Sequence, residues 1–113
     1  MSQLLNDLRA LDALFAPGAS RWTQGRFARD ERGEPVSALS EKAVCWCLDG
    51  GARKVANGAL SDRYSRLCDA LTVATPRGAS DYVLWQDQPG RKFHQVKALI
   101  ARAIADEEGR VGQ

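Results

Sequence analysis

Apolar residues recur at every third or fourth position in several stretches of this chain, and this spacing constrains the fold more than any other feature. Such a period places the apolar side chains on one face of a helix. The first stretch covers residues 4–15 and stops at Pro17-Gly18. Another follows Ser61, a favourable N-cap, and ends before Pro76, and a third covers residues 91–107. The pattern therefore predicts a chain dominated by amphipathic helices.

One more helix is predicted between Ser40 and Asn57. Ser40 suits the N-cap, and Asn57-Gly58 suits a left-handed exit. Gly50 and Gly51 fall inside this helix and weaken it by about 1 kcal/mol each relative to alanine. We therefore expect the glycine pair to mark a close crossing with another helix.

The remaining segments lack a helical period. Residues 21–36 contain Asp30-Glu31-Arg32-Gly33, with Asp first and Gly fourth as in a type I turn, and Pro35 restricts the returning strand to a sheet edge. Residues 81–85 are expected to be briefly extended. The predicted fold class is a helix-dominated α+β domain with about four helices and one small β-hairpin.

Length and composition favour one compact domain over residues 1–113. A chain of 113 residues with 44% hydrophobic content can bury one modest core. The ordered core is expected to cover about residues 3–107. Asp106, Glu107 and Glu108 lie where the dipole of the last helix disfavours acids, which predicts fraying and a flexible tail at residues 108–113.

Charge and hydropathy limit the partners. The 16 basic and 14 acidic residues leave a net charge of +2. This small excess argues against a nucleic-acid partner for the chain. No stretch approaches the ~20 apolar residues of a membrane span, and the first residues do not resemble a signal peptide. We expect a cytoplasmic protein without a membrane partner, in the host cytoplasm if a phage encodes it. The oligomeric state is left open.

The chemistry-bearing residues do not form a motif for a cofactor, metal or reaction. Cys45 and Cys47 have the wrong spacing for a structural zinc site with Cys68 and His94, so we expect three reduced thiols and no metal. The sequence lacks a nucleophile elbow and a glycine-rich phosphate loop. We therefore predict no cofactor and no catalytic residue.

Two loop segments rich in tryptophan, arginine and aspartate hold the candidate binding residues. Trp and Arg dominate binding hot spots, and guanidinium groups recognise carboxylates and phosphates. We expect the two segments to touch, with Arg29 pairing with Asp87 either as a structural ion pair or as part of a site. The candidates are Trp22, Gln24, Arg26, Arg29, Asp30, Trp85, Asp87 and Arg91.

Three motifs occur in a fixed order: W-x-Q-G-x-x-A-R-D-x-x-G from Trp22, A-x-x-W-C-L-x-G-G from Ala43, and W-x-D-x-P-G-R from Trp85. In this order and spacing, the chain resembles a family of short proteins of unknown function found in bacteria and their phages. The likeness covers about residues 4–105, and the family has W-N-D where this chain has Gln86 in the middle. The resemblance implies a mostly helical domain with a small hairpin, a frequent phage setting and no known activity.

Taken together, these features favour a non-catalytic binding protein. The most specific hypothesis is a phage-associated accessory factor that binds and inhibits a host protein, such as a defence protein (an anti-defence inhibitor). One alternative is a small-molecule or nucleotide-binding domain that holds a small anionic ligand between Arg29, Arg91 and a tryptophan. Another is a small enzyme with Asp30 or Asp87 as its base. A pocket lined by Trp and Arg would favour the ligand-binding alternative, and a flat exposed aromatic patch would favour a protein partner.

Overall fold

A computed structural model describes residues 2–77 and 81–112. The described residues form five α-helices and three short strands, which confirms the predicted helix-dominated α+β class. The structure therefore has one more helix and one more strand than the sequence predicted. In chain order the elements are α1 (Gln3–Leu14), a 3-10 turn (Ala19–Arg21), β1 (Ala28–Arg29), β2 (Pro35–Val36), β3 (Cys45–Trp46), α2 (Leu48–Ala56), α3 (Asp62–Ala74), α4 (Tyr82–Asp87) and α5 (Phe93–Val111).

The core lies where α1, α3 and α5 pack against one another, with α2 against α1 and α3. Each of these helices turns its apolar stripe inward, as the three-to-four spacing predicts. Burying one Leu, Ile, Val or Phe side chain stabilises the fold by about 1.5–3 kcal/mol, so this cluster supplies much of the driving force. The fully buried apolar side chains include Leu8, Leu11, Phe15, Leu48, Leu67, Leu71, Val96 and Ile100.

The predicted hairpin is present and forms part of a three-stranded antiparallel sheet in the order β2-β1-β3. Asp30 closes its turn, because one carboxylate oxygen accepts the backbone N–H groups of Arg32 and Glu34, each at 2.9 Å. Gly33 has φ of +80°, which glycine adopts without strain. Pro35 lies on the edge strand β2, as predicted.

The helix predicted to begin at Ser40 is wrong. Cys45–Trp46 forms strand β3, and α2 begins only at Leu48. Strand pairing decides this, since the Val44 N–H donates to the Arg29 carbonyl at 2.9 Å and fills an edge of β1 that would otherwise lack partners. The Sγ atom of Cys47 replaces Ser40 as the cap and accepts the Gly50 N–H at 3.2 Å. The left-handed exit at Asn57 is confirmed, with φ of 59°.

The extended piece predicted at residues 81–85 is also wrong, because Tyr82–Asp87 is the short helix α4. Asp81 caps it by accepting the Leu84 N–H at 2.7 Å. Tyr82, Trp85 and Gln86 are buried, so this helix buries one face despite its length of 6 residues.

The last helix extends past Glu107 to Val111. Two of the three acids at its end have partners that offset the unfavourable dipole. Glu107 is buried and accepts the Ser2 hydroxyl at 2.6 Å, and Glu108 pairs with Arg9 at 2.8 Å. Residues 108–111 of the predicted flexible tail are therefore helical, and Gln113 lies outside the described residues.

Each glycine of the pair in α2 faces a close neighbour. A Cβ atom added to Gly51 would lie 2.9 Å from Leu11 Cδ1 and 3.1 Å from the Phe15 ring. The predicted close helix crossing is therefore confirmed, and the helix that crosses here is α1. A Cβ added to Gly50 would lie 1.8 Å from the Phe27 carbonyl oxygen, so this glycine faces the residue before β1 instead of a helix. The pair allows α2 to approach the sheet on one side and α1 on the other.

Replacing Gly51 with leucine should therefore overpack the contact between α1 and α2. We expect Gly51→Leu to lower the free energy of unfolding by about 1–3 kcal/mol, measured by urea denaturation. Gly109→Leu is the matched control, because a Cβ at this helical position meets nothing within 4 Å. The control should change stability by at most about 1 kcal/mol, in the stabilising direction. Equal midpoints for Gly51→Leu and the unchanged protein would contradict the close crossing.

Candidate functional site

The two segments that hold the predicted binding residues do touch, as expected. Trp22 donates its indole N–H to the side-chain oxygen of Gln86, and Gln24 donates its amide to the Gln86 carbonyl at 2.7 Å. The backbone N–H of Gly25 donates to Asp87 Oδ1 at 3.0 Å. Residues 22–25 are thus held against α4 by three hydrogen bonds.

The predicted pair between Arg29 and Asp87 is absent, and that prediction is wrong. Arg29 donates Nε to the Thr23 hydroxyl at 2.9 Å, Nη1 to the Gly33 carbonyl at 3.1 Å and Nη2 to the Gln24 carbonyl at 3.2 Å. Its guanidinium is therefore engaged by its own hairpin and the residues just before it. The opposite charges on the two loops did not determine the pairing, because backbone carbonyls lie within reach of the strand that carries Arg29.

The other predicted residues have separate roles in the loops. Arg91 lies over the Trp85 ring, with Cζ 4.0 Å from the ring centre, and donates Nε to the Trp85 carbonyl at 2.9 Å. Asp30 closes the hairpin turn, and Arg26 is exposed just before β1. Trp85 itself is buried. The guanidinium of Arg91 thus covers the indole against which a ligand would have to stack.

Gln86 accepts two of the three hydrogen bonds that join these segments, and sequence reasoning did not select it. Gln86 is buried, with 1% of its surface exposed. The Oε1 atom accepts both the Trp22 indole N–H and the Leu48 backbone N–H, the latter at 2.9 Å, while Nε2 donates to Asp87. The available signal was its place between Trp85 and Asp87, two residues that the sequence did select.

A second buried polar cluster, which the sequence did not indicate, surrounds Asp49 at the start of α2. Asp49 Oδ1 accepts the hydroxyl groups of Tyr64, at 2.7 Å, and Tyr82, and Oδ2 accepts Nε of Arg53 at 3.0 Å. Burial, followed by the hydrogen bonds to Asp49, raises the pKa of both tyrosines. The phenols therefore remain protonated donors, and the cluster fastens α2 to α3 and α4. Arg53 also lies 4.2 Å above the ring centre of Phe27.

Cys45, Cys47 and Cys68 are free thiols. Over residues 2–77 and 81–112, no three His, Cys, Asp or Glu side chains are arranged to hold a metal ion. In the same residues, every helix is too short or too polar to cross a membrane.

The surface carries a groove of about 440 Å³ between α3 and α5, lined on its third side by the first residues of α1. Each long wall uses residues at positions i, i+3, i+4 and i+7, so each presents a single helical face. Four small or apolar side chains, Leu4, Ala70, Val73 and Ala103, line the groove among charged ones. The α3 wall comprises Arg66, Asp69, Ala70 and Val73, and the α5 wall comprises Ala103, Asp106, Glu107 and Arg110.

Comparison with known proteins places this chain in a family. The model of a family of unknown function, DUF6197, matches residues 3–106, so the chain belongs to that family. A search of curated proteins and a search of solved structures found no match. The predicted membership of a family of unknown function is confirmed, and its bacterial and phage setting stays a prediction.

Gln86→Leu should destabilise the domain, because it leaves the Trp22 indole and the Leu48 amide without an acceptor. Each buried donor left unpaired costs about 1–3 kcal/mol, and leucine preserves most of the side-chain volume. Gln88→Leu is the control, since Gln88 is exposed and its side chain accepts a hydrogen bond from Arg91 alone among the described residues. We expect the control to change the free energy of unfolding by about 0.5 kcal/mol or less. Equal urea midpoints for the two variants would show that the Gln86 contacts are dispensable.

The Cys47 thiol should make the fold sensitive to alkaline pH. Burial, with a further contribution from Asp49, raises its pKa from 9.0 to about 11. Below pH 9 both folded and unfolded thiols are protonated; between pH 9 and 11 the unfolded chain releases this proton more readily, and stability is lost. We therefore expect the unchanged protein to lose up to about 1.4 kcal/mol per pH unit in this window relative to Cys47→Ser.

Urea denaturation at a series of pH values from 8 to about 10.5 measures this difference. Cys45→Ser is the control and should follow the unchanged protein. If the free energy of unfolding changes with pH in the same way for Cys47→Ser and the unchanged protein, the proposed effect of the buried Cys47 thiol is wrong.

Proposed function

We propose that this member of the DUF6197 family is a non-catalytic binding protein that engages another protein through the groove between α3 and α5. The observation that carries this proposal is the groove itself, whose wall residue Val73 is 76% exposed beside the half-buried Leu4 and Ala70, with the buried Ala103 also on its lining. An exposed apolar side chain in a concave place lined by further apolar groups is typical of protein interaction sites. A partner that covered them would bury apolar surface, which drives association.

The hydrogen bonds of the loop residues support binding over catalysis. Asp30 and Asp87, the acids on which an enzyme with an aspartate base would depend, accept backbone N–H groups from Arg32 and Gly25. The Oδ1 atom of each acid is thus already occupied by donors of the fold, which favours a structural role for both side chains. Asp49 is held similarly by three donors.

The contacts of the arginines also weigh against an anionic ligand held between Arg29, Arg91 and a tryptophan. The hydrogen bonds of Arg29 all go to its own hairpin and to the residues just before it, and the Arg91 guanidinium lies over the Trp85 ring. A nucleotide base would have to displace Arg91 to stack on that indole. These contacts favour a structural role for the loops and leave the groove as the better binding surface.

The setting of a phage accessory factor that binds and inhibits a host defence protein follows only from the resemblance noted for the sequence. In that setting the partner is a host protein and the site of action is the host cytoplasm. The groove is compatible with this setting because it can engage a partner without any cofactor or reaction.

Val73→Arg tests the proposal by placing a bulky charge in the groove. We expect this variant to lose at least tenfold of the host protein that the unchanged chain retains in an affinity capture, measured by quantitative mass spectrometry. Leu60→Arg is the matched control, because Leu60 is fully exposed outside the groove and should retain the partner. Thermal melting verifies that both variants remain folded.

Two results would contradict the proposal. One is equal retention of the same host proteins by Val73→Arg and the unchanged chain. The other is a nucleotide or similar anion found in the captured material by native mass spectrometry and lost in Arg91→Ala but kept in Val73→Arg, which would favour the ligand-binding alternative.

A further inference from the structure

We infer that the partner enters the groove as an amphipathic α-helix whose apolar stripe is flanked by lysine or arginine. This inference rests on the proposed function and adds the chemistry of the partner. Its basis is the shape of the two walls together with the charges that lie on them.

The shape of the groove fits a helix. Each wall repeats at i, i+3, i+4 and i+7, and at 1.5 Å per residue this stripe extends for about 10 Å, or two helical turns. Two neighbouring helices that each present such a stripe form a channel into which the ridge of a third helix packs. An amphipathic helix in an apolar groove is a recurring mode of recognition, with anchors at i, i+3 or i+4, and i+7.

The polar groups of the groove argue against a small ligand. Among the described residues, every buried side-chain nitrogen and oxygen has a hydrogen-bond partner. A small-molecule site normally presents a few inward-facing polar groups that fix the orientation of the ligand. The buried acid of the groove, Glu107, already accepts the Ser2 hydroxyl and faces Arg110 at 3.5 Å.

The charges indicate a basic partner. Asp69 on α3 and Asp106 on α5 occupy the second position of their stripes, and neither forms an ion pair within the part of the chain that the structure describes. Both carboxylates are exposed on the groove walls, one on each side. Cationic side chains on the two flanks of a docked helix would neutralise them, since complementary charge sets orientation and speeds encounter. Arg66, at the first position of the α3 stripe, favours an acid near one end of that helix.

Two synthetic peptides provide the test. The first is a helix of about 18 residues with leucines at i, i+4 and i+7 and lysines beside them; the second has glutamates in place of the lysines. Fluorescence anisotropy gives the Kd of each peptide for the full chain. We expect the lysine peptide to bind at least about tenfold more tightly than the glutamate peptide.

The double variant Asp69→Lys with Asp106→Lys should reverse this preference, while Val73→Arg should abolish binding of both peptides. Leu60→Arg should leave both Kd values unchanged. Circular dichroism of the variants verifies that these exposed substitutions leave the fold intact. Binding that is equal for the two peptides, absent for both, or insensitive to the double variant would overturn the inference.

A second copy of the chain is the competing occupant, and sedimentation velocity detects it. A dimer that dissociates in Val73→Arg would assign the groove to self-association and overturn the inference. If Val73→Arg loses a captured host protein but the peptides show no charge preference, the proposed function stands and only the helical, basic partner fails. If capture is also unaffected, both fail.

Discussion

The placement of the short elements around the helical core depends on one buried carboxamide. The Oε1 atom of Gln86 accepts the Trp22 indole N–H and the Leu48 N–H, so it joins the segment before the sheet, the first residue of α2 and α4 at one point. Buried donors need partners, and these two come from elements far apart in the chain. With α2 fixed there, Gly50 and Gly51 meet the Phe27 backbone on one side and α1 on the other.

A second polar cluster, at the residue that follows Leu48 in α2, completes this arrangement. Asp49 accepts hydroxyl groups from α3 and α4 and the guanidinium of Arg53 from its own helix. The Trp, Arg and Asp residues of the loops therefore contribute mainly to the positions of short elements that have too few backbone hydrogen bonds of their own. Because these polar groups are used within the fold, the groove between α3 and α5 is the surface to which we assign the proposed binding role.

The sequence predicted the elements that are determined by residues near one another in the chain. Helices α1, α3 and α5 carry their apolar stripe over 12 or more residues, and the turn at Asp30 to Gly33 depends on adjacent residues. Strand β3 was missed because its 2 residues become a strand only by pairing with β1. The 6 residues of α4 are too few to show a helical period. For β3, a long-range contact overrides the local helical preference. For α4, the short length hides the helical pattern.

The candidate site was predictable only in part. Contact between the two loop segments was expected and is confirmed, but the Arg29 and Asp87 pair was inferred from charge alone, and geometry gave both residues other partners. Gln86 carries no charge and shows its role only when three separate segments meet. The groove was not anticipated, because its walls combine charged and apolar residues of two helices whose relative position no single helix reveals.

Native-state hydrogen exchange followed by NMR tests the central claim most directly. The account predicts that the Trp22 indole N–H and the Leu48 backbone N–H exchange only through global unfolding, with the same free energy of opening as the amide of Leu11 in the core. Exchange of both protons through a local opening that costs several kcal/mol less than global unfolding would show that Gln86 does not hold these segments together.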